Sequence, residues 1–134
     1  MTKQQLIALW QGNSWERSPA GIYFISRKSD KDLHFSFSGY SERDVKSIPD
    51  PLMKRLSVEL TELDQEALRL IKGNFPEEDI EGISLTDIMF DKNGCYNAFA
   101  LGYYVGESPA GELYLLVSFG EEFEANPEVI CEVY

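Results

Sequence analysis

"ALGYYVGESPAGELYLLVSF", residues 100–119, decides the fold. Ser108-Pro109-Ala110-Gly111 has the residues of a type I turn, with Ser at i, Pro at i+1 and Gly at i+3. Strand-forming residues flank it on both sides, and they alternate at period two. The same tetrapeptide stands at 18–21, again before a strand-like run, Ile22 to Ser26. We read it as turn chemistry used twice. Nothing beyond the turn and a general strand texture aligns, so no internal duplication is inferred.

Four strands are predicted in the C-terminal part, over 83–90, 95–105, 112–119 and 128–134. Asp91-Lys92-Asn93-Gly94 supplies a hairpin turn, with Asn-Gly where positive φ is wanted. Residues 22–38 read as an N-terminal hairpin, because Leu33 to Ser38 alternate apolar with small polar. Between these blocks, Thr61 as N-cap, the stripe Leu63, Ala67, Leu70 and Ile71, and Gly73 as stop predict a helix over 62–72. Residues 52–60 stay open between helix and strand, because Leu56, Val58 and Leu60 alternate while Pro51 suits a helix start. Thr2 to Gln5 form a capping box before Leu6, Ile7, Leu9 and Trp10, which predicts a short amphipathic helix over 3–11. Residues 74–82 form an acidic connector. The expected fold is α+β: a two-layer sandwich in which an antiparallel sheet, a four-strand meander plus the N-terminal hairpin, packs on one or two helices.

At 134 residues the chain is expected to form one domain, with enough core to fold without metal or disulfide. No apolar run reaches the roughly 20 residues of a membrane span. The start of the sequence lacks a secretory pattern, so a cytoplasmic protein with reduced, buried Cys95 and Cys131 is expected. The net charge of −11 is unevenly placed. Residues 1–72 carry 11 basic and 10 acidic residues, whereas residues 73–134 carry 13 acidic residues against Lys92 alone. A field of that sign repels nucleic acid and anionic membranes and attracts basic proteins. It also solubilises.

The expected faces follow from alternation. Cys95, Asn97, Phe99, Leu101, Tyr103 and Val105, with Leu113, Leu115, Val117 and Phe119 and with Val129, Cys131 and Val133, are candidate core. The opposite positions leave Tyr96, Tyr104, Glu112, Tyr114, Glu132 and Tyr134 on a wetter face. Tyrosine gives large contact area at small entropic cost, and carboxylates steer a basic partner. With the acidic loop Glu121, Glu122 and Glu124, the candidate partner-binding residues are Tyr96, Tyr104, Glu112, Tyr114, Glu121, Glu122, Glu124 and Glu132.

The sequence offers no catalytic set. His34 is the lone histidine, and no spacing ties it to Cys95 or Cys131 as a nucleophile pair. Two distant cysteines and one histidine make no zinc pattern, and no glycine-rich phosphate loop precedes a helix. Asp87 stands inside a strand and reads as a cross-strand partner or turn cap. Thus no enzyme activity, cofactor or metal is expected.

The stretch "DIMFDKNGCYNAFALGYYVGESPAGELYLLVSFGEEFE", residues 87–124, together with the charge, resembles the small acidic immunity proteins of bacterial toxin systems. The resemblance implies a protein that plugs a basic nuclease or deaminase toxin with an acidic, aromatic surface. It carries over no functional residue. Two other readings stay open. One is a small-ligand or enzymatic domain with a pocket between helix and sheet. The other is a domain that self-associates through the tyrosine face, so the chain is expected to be a monomer or a homodimer.

Overall fold

The computed structural model describes residues 15–18, 21–28, 31–41, 43–44, 47–76, 82–94 and 96–133. The helix expected over 3–11 lies outside these residues. Seven strands, β1 (Trp15–Ser18), β2 (Gly21–Lys28), β3 (Lys31–Ser38), β4 (Leu85–Asp91), β5 (Phe99–Ser108), β6 (Gly111–Phe119) and β7 (Ile130–Val133), form one open sheet in sequence order. One long helix, α1 (Asp50–Asn74), connects β3 to β4. The arrangement is the expected α+β sandwich of helix on sheet.

One feature departs from an all-antiparallel sheet. β3 and β4 pair in parallel, from His34 opposite Asp87 to Ser38 opposite Asp91. Parallel neighbours need a crossover rather than a tight turn, and α1 supplies it. All other pairs are antiparallel.

Both copies of the repeated tetrapeptide close hairpins. Ser18 pairs with Gly21 between β1 and β2, and Ser108 pairs with Gly111 between β5 and β6. At the second turn Gly111 has φ 137°, and the Ser108 hydroxyl donates to the Gly111 carbonyl at 2.9 Å. Each turn therefore joins two strands rather than only launching one. The alternation-poor segment WERS of β1 is the strand that sequence reading missed.

Residues 52–60 are helical and continuous with 62–72. Pro51 sits in the first turn, where its missing N–H costs nothing, and Asp50 complements the dipole. Met53, Leu56, Leu63, Ala67 and Ile71 face the sheet and are buried. Val58, which made the alternation look strand-like, is 76% exposed on the outer side. They pack on Phe35 and Phe37 of β3, Ile88 and Phe90 of β4, Phe99, Leu101 and Tyr103 of β5, and Leu115, Val117 and Phe119 of β6. Phe37 stacks on Phe90 at 5.1 Å, and Phe99 on Phe119 at 5.2 Å. Each buried aromatic of this kind contributes about 1.5–3 kcal/mol of transfer free energy.

The expected core narrows at the β7 edge. Cys131 is exposed and is a free thiol, and Val133 is exposed too. The physical reason is position: β7 is the last strand, and its four residues lie outside the stripe of α1. The expectation of a buried Cys131 is corrected accordingly, while Cys95, expected to be buried with it, and Tyr134, expected on the wetter face, lie outside the described residues. No described helix is long and apolar enough to cross a membrane.

Candidate functional site

The β5–β6 hairpin extends past its neighbours. β4 pairs with β5 only as far as Tyr103, and β7 pairs with β6 only from Leu113 to Leu116. At the base of this extension Tyr104 faces Tyr114 across the strands, with ring centroids 5.3 Å apart. Tyr114 in turn pairs with Glu132 on β7. Glu112 lies two residues before Tyr114, on the same side of β6. Four of the expected residues, Tyr104, Glu112, Tyr114 and Glu132, thus share one patch on the face away from α1.

A bulge adds a fifth residue that alternation hid. The register slips between Tyr104 and Gly106, leaving Val105 as the extra residue. Without the slip, Glu107 would share the face of Tyr103. With it, Glu107 pairs with Glu112 and joins the tyrosine side. The Tyr104 hydroxyl donates to Glu107 Oε1 at 3.2 Å. Gly106, at φ 152°, is the sequence signal that was available, since glycine inside a strand pattern marks bulges.

A second bulge sets the floor of the patch. The ladder slips between Leu85 and Asp87. The hydroxyl of Thr86 accepts the Tyr104 N–H at 3.1 Å and lies 2.6 Å from Asp87 Oδ2. It thereby takes over ladder bonding that the bulge removes. Asp87 stands beside Gly102 in the register and beside His34 on β3. The cross-strand placement expected for Asp87 is therefore what the fold provides.

The electrostatics follow from crowded acids. Burial, then Asp87 and Glu112, push the Tyr114 hydroxyl up to about 12. Partial burial, with the Glu107 hydrogen bond and charge behind it, raises Tyr104 as well. Glu107 and Glu112 are directly opposed like charges, an arrangement that disfavours the isolated hairpin. Ion pairs among the described residues include Arg55–Glu59, Arg69–Glu66 and Lys92–Asp44. None of them involves Glu107, Glu112 or Glu132.

The remaining expected residues lie elsewhere. Tyr96 is not on a strand: β5 begins at Phe99, and Asn97 takes φ 62° in the connection that precedes it. Glu121, Glu122 and Glu124 occupy the loop after β6, about 20 Å along the strand from Tyr114. That loop belongs to the helix side. Phe123, held at φ 61°, plugs the core edge-on to Phe99 at 5.0 Å. Arg55 of α1 covers its ring at 4.3 Å and donates to the Glu122 carbonyl at 3.2 Å. The single surface expected from the sequence is thus two acidic regions, the tyrosine patch and the Phe123 loop, at opposite ends of β6.

Among the described residues, no group of three or more His, Cys, Asp or Glu is arranged to hold a metal ion. The fold and patch define an α+β domain with an acidic, tyrosine-lined sheet face. No known protein family, curated protein or solved structure matches the chain.

Proposed function

We propose that the chain is a non-catalytic binding domain whose face of Tyr104, Glu107, Glu112, Tyr114 and Glu132 recognises a basic protein. The observation that carries this reading is the opposed pair Glu107 and Glu112 beside the tilted ring contact of Tyr104 and Tyr114, on a hairpin that extends beyond its neighbours. Two half-buried phenols offer rigid, amphipathic contact area. Three carboxylates outside the described ion pairs offer attraction that an incoming Lys or Arg would satisfy, relieving the cross-strand repulsion. The acidic C-terminal half extends this field and accelerates encounter.

Neutralisation of a basic toxin acting on nucleic acid, as in the immunity proteins that residues 87–124 resemble, is the specific form of this reading. An acidic cover would compete there with the phosphate backbone for the same cationic surface. Salt-dependent capture of a basic protein, compared between the wild-type chain and a Glu112→Lys/Glu132→Lys variant, tests it.

A further inference from the structure

β7 is an outer strand of the sheet, and the direction of its backbone groups follows from its neighbours. The Ser118 carbonyl accepts from the Asn126 N–H at 2.8 Å, on the side of β6 away from β5. The Phe119 carbonyl accepts from the Ala98 N–H at 3.0 Å, on the β5 side. Backbone groups alternate in direction along a strand, so Tyr114 and Leu116, like Ser118, turn theirs toward β7. Their register partners there are Glu132 and Ile130. Cys131 and Val133 therefore turn their N–H and C=O groups out to the open edge, two donors and two acceptors.

Edge strands are commonly guarded by Lys, Pro, a bulge or a charge. β7, Ile-Cys-Glu-Val, holds neither Lys nor Pro, and its ladder with β6 runs without a slip. Its guards are its length of four residues and the charge of Glu132. That charge is selective, since it repels an acidic strand and attracts a basic one. A second copy of this chain, at net charge −11, would bring its own acidic half to the same edge.

Tyr104, Tyr114 and Glu132 form one cross-strand row, and the row ends at β7. An antiparallel strand bonded to Cys131 and Val133 sets a residue opposite Glu132 in a non-hydrogen-bonded pair, where Cα atoms stand only about 4.5 Å apart and side chains are closest. The residues on either side of it fall on the other face, beside Cys131 and Val133, both exposed. On the basic-partner reading of the tyrosine patch, we propose that the partner is bound by strand addition at β7. An extended segment patterned apolar–basic–apolar pairs antiparallel with Ile130–Val133, its Arg or Lys opposite Glu132. The backbone bonds supply affinity, and Glu132 with the tyrosine row supplies the selection.

The capped peptide Thr-Val-Arg-Val-Thr, with Thr-Val-Glu-Val-Thr as its counterpart, tests this on the full chain by solvent-exchange NMR. With the Arg peptide at ten times its Kd, exchange of the Cys131 and Val133 amides is expected to slow about tenfold. The Glu peptide is expected to leave both amides unchanged, and Glu132→Lys to reverse the preference. Shifts at Glu107 and Glu112 without protection of Cys131 and Val133 overturn strand addition and leave the basic-partner reading standing. Equal protection by both peptides, or none by either at the limit of their solubility, also overturns it. Protection that grows with chain concentration alone overturns it too, by assigning the edge to a second copy.

Discussion

The Tyr103 hydroxyl donates a 2.5 Å hydrogen bond to Asp64 Oδ1, joining the centre of the sheet to the middle of α1. Tyr103 is fully buried, and its position under the helix leaves Asp64 as the nearest way to satisfy the phenol. The helix is thereby fixed in register on the sheet that presents the tyrosine patch.

Tyr103→Phe removes this bond while keeping the ring. Half-exposed Asp64 regains water, so the expected loss is about 1–2 kcal/mol. Urea unfolding measures it, and an unchanged midpoint would assign the helix register to apolar packing alone.

Alkaline pH acts on the same chemistry. Burial raises Tyr103 strongly, and Tyr114 is raised from 10.0 to about 12. The folded chain therefore holds these protons above pH 10, where the unfolded chain releases them. The stabilisation is complete below pH 10 and is lost as pH rises through about 12. Phenolate absorbance should show Tyr114 titrating late, and Tyr114→Phe should flatten the fall in stability over that window.

Acid acts through Asp44. Hydrogen bonding to Lys92, and then to Ser41, lowers its carboxyl from 3.8 to about 2. Lys92 lies 2.6 Å away on the β4–β5 turn, so the pair ties the β3–α1 connection to that turn. The contribution is present above pH 3.8 and fades as pH falls through about 2. Lys92→Ala should return the Asp44 titration, followed by carboxyl NMR, toward the ordinary value. A titration that does not move would make the Ser41 bonds its sole cause.

Gly102→Ala tests the tight packing below the patch. The new Cβ would stand 3.0 Å from the Cβ of Asp87 and 3.2 Å from Leu116 Cδ2. Neither neighbour is the tip of a long flexible chain, so a loss of about 1–3 kcal/mol is expected in thermal or urea unfolding.

Much of this architecture is visible in the sequence where periodicity is clean. Phe99, Leu101 and Tyr103 against Leu115, Val117 and Phe119 fix two central strands and their core face. Alternation fails where the backbone changes its count. Val105 as a bulge moves Glu107 to the tyrosine side, and one helical turn converts Leu56, Val58 and Leu60 from an apparent strand into inner and outer positions. Partner order is not encoded in period at all, so the parallel pairing of β3 with β4 emerges only in three dimensions. The acidic loop misled for a related reason. Its three glutamates are exposed on either reading, and only the burial of Phe123 assigns them to the helix side.

The most direct measurement is capture from the native lysate by the tagged chain at low and high salt, with the Glu112→Lys/Glu132→Lys variant alongside. The account predicts one basic protein, retained in stoichiometric amount by the wild-type chain, weakened by salt and lost from the variant. A partner held equally by both chains, or no stoichiometric basic partner at low salt, would contradict it.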